Sequence, residues 1–498
     1  MLQKLLSSCA VLILVIAIIS NIPTLEPMQK PLYNAPTYSL NPYPSDGSTI
    51  SSSMPKISWQ ISPHGAELLA YGVTLDGKAV KAQLISRKDT LLVMYQPSSP
   101  LAAGRHTVEM SVSFRGYRPA AIAFSFTVTN TVPDPFANLD TSKLRIWEES
   151  VLSRMNEYRR IVGLHDVALH RALTSSAQAH SNYLSNHTMI SHNENEGEAG
   201  FTGTTPQRRA ELFGYDGFTG EGIDYGNPGS MAVDRLIDAP YHRISIMNPV
   251  IIHAGVGFSD NITVINYGGP EELASDHVIA YPYPGQQDAK IAWLNAETPN
   301  PLAFYGKGKI TVGFPISLSI HGAHSKELRA LSAVVTDDRG QTIPCYQVDS
   351  SRDQEHKTAL FLIPELPLRL GTTYTAAVKG EIIDERGQSH PLKKMWSFRT
   401  VAVIGIAGLE IFSLNGTDHL AVMTRSGEIS DFQYVLKRNG SILRQYSTAE
   451  GIYTGWGERH LSAGEYQLEL YSSQLSTTEV YDIRINQGDD KLTVDILP

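Results

Sequence analysis

A single helical block interrupts a chain that otherwise reads as strands and turns, and this interruption limits what the chain can fold into. Leu144, Trp147, Val151, Met155, Tyr158 and Val162 recur at the spacing of one helix face, with Asp140 or Thr141 as N-cap and Gly163 as the stop. A second helix is expected over about residues 169–184, with Leu169, Leu173, Ala177 and Leu184 on one side. A third, short helix has Thr205 as cap, Pro206 in its first turn and Gly214 after its end. A fourth runs from Ser230 to about Asp238 and is broken by Pro240. The stretches "VIIHAGVGFSD" and "NITVINYGG" then form a hairpin, so the block is a helix-rich α+β domain ending near Gly269.

On either side the pattern has the strand period. Residues 36–130 hold alternating apolar runs around an Asp76-Gly77 hairpin turn, closed by Pro133 and Pro135. The strand pattern returns near Ala289, with "ITVGFPISLSI", "TALFLIP", "TTYTAAVKGEI" and "MWSFRT" in one β-sandwich. An Asn439-Gly440 turn and "GEYQLELYSS" mark another. At 498 residues the chain is too long for one core, and the expected organisation is multidomain. The segments are 1–30, 36–130, 143–270, 288–401 and 402–498. A fragment of about residues 140–272 is expected to fold alone, since Pro-rich linkers bound it.

Lys4 followed by "LLSSCAVLILVIAIIS" reads as a secretory signal, and the run is also close to the length that spans a bilayer. Secreted and membrane-anchored forms both follow from it, with the rest of the chain outside the cell. Apart from Cys9 the only cysteine is Cys345, so no internal disulfide framework exists, which suits a bacterial surface protein better than an animal or plant secreted one. Charged residues make up 18% and the net charge is −9, without a basic face, which argues against a nucleic-acid partner.

The stretch "HTMISHNENEGEAGFTG" is almost devoid of apolar residues. It contributes His192; Glu221 follows in a glycine-flanked loop, and His242 lies just past the Pro240 break. Two imidazoles and a carboxylate can form a zinc shell with one position open to water, but residues so far apart in sequence equally describe solvated loops. His180, on the face of Leu173 and Leu184, reads as a hydrogen-bonded core histidine. The glutamates after His192 read as a solvated rim. No catalytic nucleophile or phosphate-binding loop is present, and the sequence assigns no catalytic residue.

The segments "MNEYRRIVGLHDVALHRAL", "AQAHSNYL", "ISH", "RRAELFGYDGFTGEGI", "AVDRLIDAPYHRISIMNP" and "HAGVGF" follow one another in an order and spacing that resemble the CAP superfamily (cysteine-rich secretory proteins, antigen 5, pathogenesis-related 1), in a cysteine-free bacterial form. The resemblance covers about residues 143–270. It implies an α-β-α sandwich whose cleft is lined by two histidines and acidic residues, in several members a zinc or other divalent-metal site. The first histidine matches His192, the glutamate of the family's G-E-N loop Glu221, and the second histidine His242. Gly222 stands where the family has asparagine, Leu236 where it usually has tryptophan, and Ala239 where the eukaryotic members have a second glutamate; Asp224, Glu194 and Glu196 are candidates for a fourth ligand. The strands around "GTTYTAAVKGEIIDERGQ" resemble bacterial Ig-like domains. The expected architecture is thus a central CAP sandwich flanked by all-β Ig-like sandwiches.

Three functions follow from these readings. The first is an extracellular protein whose CAP domain binds a divalent metal, a small molecule, a lipid or a cell-envelope ligand, presented by Ig-like spacers. The second is a hydrolase of the envelope using the histidines as bases or metal ligands. The third is a structural surface protein with a vestigial cleft. Export is open to a direct test: alkaline phosphatase fused after residue 35 is expected to be active only when residues 1–20 are retained, and activity without them would rule out the signal.

Overall fold

The computed structural model describes residues 36–497 apart from 39–41, 87–89, 138, 140, 226–228, 261, 271–275, 323–324, 385–386, 415–416, 428–431, 448–454, 459–460, 473–475 and 489–491. The N-terminal apolar run and the expected cap Asp140 therefore lie outside the described residues. Among the described residues no helix is long and apolar enough to cross a membrane.

Two compact units are distinguished among the described residues, a first of residues 36–38, Ser58–Tyr95 and Val108–Ala123 and a second holding the remainder. In the first, a sheet runs in the order Thr37–Tyr38, Ile57–Ser62, Leu91–Tyr95, Gln83–Ser86, and Leu68–Leu75 turns back on Lys78–Val80. Asp76 and Gly77 take the positive φ angles (48° and 74°) that a two-residue hairpin turn demands. The division falls inside the expected 36–130 module, since Asn41–Ile57 and everything from Phe124 cluster with the second unit.

The helical block sits in the second unit. Helix α1 (Thr141–Ile161) ends where Gly163 turns to φ 78°, and the Leu164 N–H closes on the Arg159 carbonyl. Strand β1 (Ala168–Leu169) leads into α2 (Arg171–His187), and α3 (Pro206–Leu212) starts with the Thr205 hydroxyl accepting from the Arg208 N–H. Then come β2 (Phe218–Tyr225), α4 (Gly229–Asp238), α5 (Pro240–Ile246), β3 (His253–Ser259) and β4 (Ile262–Gly269). The sheet order is β1-β3-β4-β2, with β1 parallel to β3 and the other pairs antiparallel.

Side-chain alternation builds three layers. Ile262 and Val264 pack on Ala177, Tyr183 and Leu184 of α2. Ala254, Val256, Ile265 and Tyr267 face the other way, into a core with Val151 and Met155 of α1 and Val233, Leu236 and Ile237 of α4. The "HAGVGF" motif has a direct physical cause. A Cβ on Gly255 would come within 2.0 Å of the Thr174 nitrogen, and one on Gly257 within 2.3 Å of the Ala177 carbonyl carbon, so α2 can lie this close only over glycine. Gln178 then fastens the contact with both ends of its amide, giving to the Phe258 carbonyl and accepting from the Phe258 N–H, each at 2.9 Å.

The following strands are not an independent body. His277–Tyr281, ahead of the expected start at 288, pairs with Ile316–His321 in a sheet completed by Ala359–Pro364 and Cys345–Val348. Ala359, Phe361 and Ile363 enter the core shared with α1, α4 and α5. Leu360 and Leu362 enter a second core with Tyr374, Trp396 and Phe398, from the sheet of Glu327–Asp337, Thr373–Ile383 and Ser389–Arg399. Both faces are covered, which is why "TALFLIP" shows no alternation of polar and apolar residues. That second core continues into the C-terminal strands through Phe432, Tyr434, Leu468 and Ile483. There Asn439 and Gly440 make the expected turn, at φ 50° and 76°.

Arg243 of α5 seals the junction. It is fully buried, donating to the carbonyls of Ile237 and Asp238 on its own side and to the Pro315 carbonyl and the Ser317 hydroxyl across it. Its guanidinium also lies over the rings of Tyr281 and Phe314, at 4.7 and 5.1 Å.

The shared core leads to a different prediction for residues 140–272 than their Pro-rich borders do. Cutting at 272 removes Tyr281, Trp293, Phe314 and Phe361 from it. At roughly 2 kcal/mol each, this approaches the whole stability of a typical domain, about 5–15 kcal/mol. The 140–272 fragment is expected to show no cooperative melt in near-UV circular dichroism, whereas the full chain does; a sharp fragment transition would contradict the shared core.

Candidate functional site

The three residues singled out in the sequence resolve into two imidazole–carboxylate pairs. In the first, His192 Nδ1 lies 2.9 Å from Glu221 Oε1. Glu221 is not on a loop, as its flanking glycines suggested, but in the middle of β2 opposite Asn266. The glycines serve packing. A Cβ on Gly220 would fall 2.3 Å from the Tyr267 ring, whose hydroxyl donates to the Glu221 carbonyl, and one on Gly222 would press on Leu236 at 3.1 Å.

Arg209 of α3 organises this pair. Its side chain is wholly buried; one Nη donates to Glu221 Oε2 at 2.7 Å and the other to the backbone carbonyl of His192 at 3.0 Å. It therefore holds both ends of the His192–Glu221 contact. Glu194 holds the loop from inside, accepting from the N–H groups of Thr202 and Gly203, with His180 Nδ1 at 3.0 Å from its other oxygen. This corrects the reading of the glutamates after His192 as a solvated rim for Glu194 alone, which is 1% exposed; Glu196 and Glu198 are exposed as expected. His180 is the hydrogen-bonded core residue expected, with Nε2 on the Ser191 carbonyl at 3.0 Å. It also lies 3.6 Å from Glu221.

Burial alone pushes the Glu221 carboxyl up. The Arg209 guanidinium, the His180 ring and the His192 hydrogen bond outweigh it and bring it down to about 2. An ionised carboxylate only accepts, so the proton shared with His192 sits on Nδ1, and in the neutral ring Nε2 keeps the lone pair.

The second pair was not visible in the sequence. His242, near the start of α5, places Nδ1 2.6 Å from Oε1 of Glu297, and its backbone N–H donates to the same oxygen at 2.9 Å. Of the fourth-ligand candidates, Asp224 accepts from Arg235, Glu194 is committed as described, and Glu196 is exposed. Ala239, at the position of the missing family glutamate, makes no side-chain cap on α5. The two pairs flank β2: the Cβ site of Gly222, next to Glu221, lies 3.9 Å from His242 Cδ2.

This arrangement does not fit a zinc shell of His192, Glu221 and His242. Both Glu221 oxygens are engaged by Arg209 and His192, and among the described residues no three His, Cys, Asp or Glu side chains gather as metal ligands. The Nε2 atom of each ring has no partner among the described residues; the His192 side chain is 45% exposed and that of His242 15%.

Residues 152–265 match the family model described as the cysteine-rich secretory protein family, CAP. The chain carries a CAP domain. Among solved structures, an outer surface protein from Borrelia burgdorferi is 22% identical, over 27% of this chain and 97% of its own, at a TM-score of 0.22. An extracellular protein with an SCP domain from Bacillus anthracis is 14% identical over 50% and 74% of the two chains, also at 0.22. A cysteine-rich secretory protein from Staphylococcus aureus is 12% identical over 48% and 85%, at 0.20. No curated protein matches the chain at a significant level. The match accounts for most of the CAP layers, and Glu297 lies beyond its end.

The charge on Glu221 makes a testable contribution to stability. Its folded-state value lies below its ordinary 4.5, so the stabilisation is complete above pH 4.5 and is lost as pH falls toward about 2. A depression of this size corresponds to roughly 3 kcal/mol. Glu221→Gln is expected to lower the melting temperature clearly at pH 7, with the deficit shrinking between pH 4.5 and 2. A deficit constant over that range would show that the charge is not what stabilises the fold.

Proposed function

We propose that the chain is an extracellular binding protein whose CAP cleft takes its ligand on the open Nε2 edges of His192 and His242. The observation that carries this is the commitment of both Nδ1 atoms to buried carboxylates. Each ring is held in one orientation and one tautomer, with an acceptor lone pair toward the cleft. Such edges suit a ligand that presents hydrogen-bond donors, such as the hydroxyls or amides of a cell-envelope component, or a divalent ion completed by water. The flanking β regions, read as Ig-like modules, serve to hold the domain at the cell surface.

A second reading rests on the same pairs. A carboxylate-backed imidazole is also the arrangement of a general base, and His192 could activate a water in a hydrolytic step. Casein cleavage by the wild type that is lost in His192→Ala would favour it.

Calorimetry with zinc tests the binding reading. Uptake by the wild type is expected at micromolar affinity, and His192→Ala and His242→Ala are each expected to weaken it at least about tenfold. Equal uptake by the wild type and the double variant would place the ion elsewhere and remove these histidines from the binding reading.

A further inference from the structure

The residue that orients His242 does not belong to the CAP domain. Glu297 comes after Ala292–Leu294, a strand paired with Thr311–Gly313 in the following β region. Its neighbours hold it there. The Asn295 N–H donates to the Ile310 carbonyl, the Asn295 side chain to Asn300 and the Gly308 carbonyl, and the Trp293 ring lies in the shared core. The Glu297 side chain is fully buried. Oε1 receives both the backbone N–H and the ring Nδ1 of His242, while Oε2 has no partner among the described residues. All of its hydrogen bonding is therefore spent on one histidine.

We propose that Glu297 is the positioning residue of His242, so that the second half of the cleft is set by the β region and not by the CAP domain alone. This rests on the reading that His242 is a cleft ligand. The chemistry is specific. In water the histidine ring favours the form with its proton on Nε2, which would close the lone pair now facing the cleft. A buried carboxylate against Nδ1 reverses that preference, and the bond to the backbone N–H fixes where the carboxylate stands. Any displacement of the 295–310 loop relative to α5 frees the ring to turn and moves the proton. Occupation of the cleft and seating of this loop are thereby linked, each favouring the other.

The test uses the full chain labelled with 15N-histidine, reading the tautomer of each ring from long-range proton–nitrogen correlations; the spectrum of His242→Ala identifies the His242 signals. In the wild type His242 is expected as the Nδ1–H form. In Glu297→Ala it is expected to shift toward Nε2–H, with the His192 signals unchanged and zinc affinity reduced at least about tenfold. Glu297→Gln, whose amide oxygen can still accept, is expected to retain the Nδ1–H form. If Glu297→Ala does not fold, Glu297→Asp, which draws the carboxylate back by one methylene, is expected to show the same shift. An unchanged His242 tautomer in a folded alanine or aspartate variant overturns the proposal, even if the melting temperature falls, because a merely structural role would do that. A wild type that binds no zinc counts against the zinc arm of the binding reading, while the tautomer still decides the role of Glu297.

Discussion

In the sheet of His277–Tyr281, Ile316–His321, Ala359–Pro364 and Cys345–Val348 the two central strands, Ile316–His321 and Ala359–Pro364, have almost no face left for water, and the rest of the second unit depends on that constraint. An antiparallel sheet commonly packs one face and solvates the other. Here alternate residues of a single strand serve two cores, Phe361 and Ile363 toward the helices of the CAP domain and Leu360 and Leu362 toward the neighbouring strands. Neither core is complete without the sheet. The Arg243 guanidinium follows the same logic, since half of its hydrogen bonds are to backbone and side chains across the junction.

Within the CAP domain the charges are arranged from the inside outward. Arg209 and Glu221 neutralise each other out of contact with water, and the His192 side chain is 45% exposed. Desolvation offsets much of the attraction in a buried pair of this kind, so the ionised Glu221 stabilises the fold only by what remains. The pair also has a geometric effect. With one Nη on the Glu221 carboxylate and another on the His192 carbonyl, Arg209 leaves little freedom in where that ring can stand. The N-terminal approach to the domain is fixed in a similar way: the Ser45 hydroxyl and N–H bind Glu211, and Arg208 donates to the Asp46 carbonyl.

How far the sequence could be read depended on the range of the interactions involved. The helices were legible because Leu144, Val151, Met155 and Tyr158 repeat at helical spacing, and the turns because Asp76-Gly77 and Asn439-Gly440 are local chemistry. Glu221 was placed on a loop because glycine usually marks one; Gly220 and Gly222 are instead small because Tyr267 and Leu236 occupy the space. Glu194 was read as solvated because its partners, Thr202, Gly203 and His180, have no local signature. Glu297 sits in "NAETPNP", which looks like any turn, and nothing in it points to a histidine 55 residues earlier.

The junction also bears on how such a domain could be moved between proteins. The family match ends at 265, yet the side chain that caps His242 and the carbonyl that receives Arg243 lie at 297 and 315. The unit recognisable as a family member and the unit that is physically complete are thus different lengths of chain. Grafting the shorter one onto another scaffold would carry over the helices and the His192 pair. It would leave the His242 ring without its carboxylate partner and a guanidinium with half of its acceptors gone. Transplantation would have to take the β region along, or supply a new carboxylate and a new apolar cover at the same place.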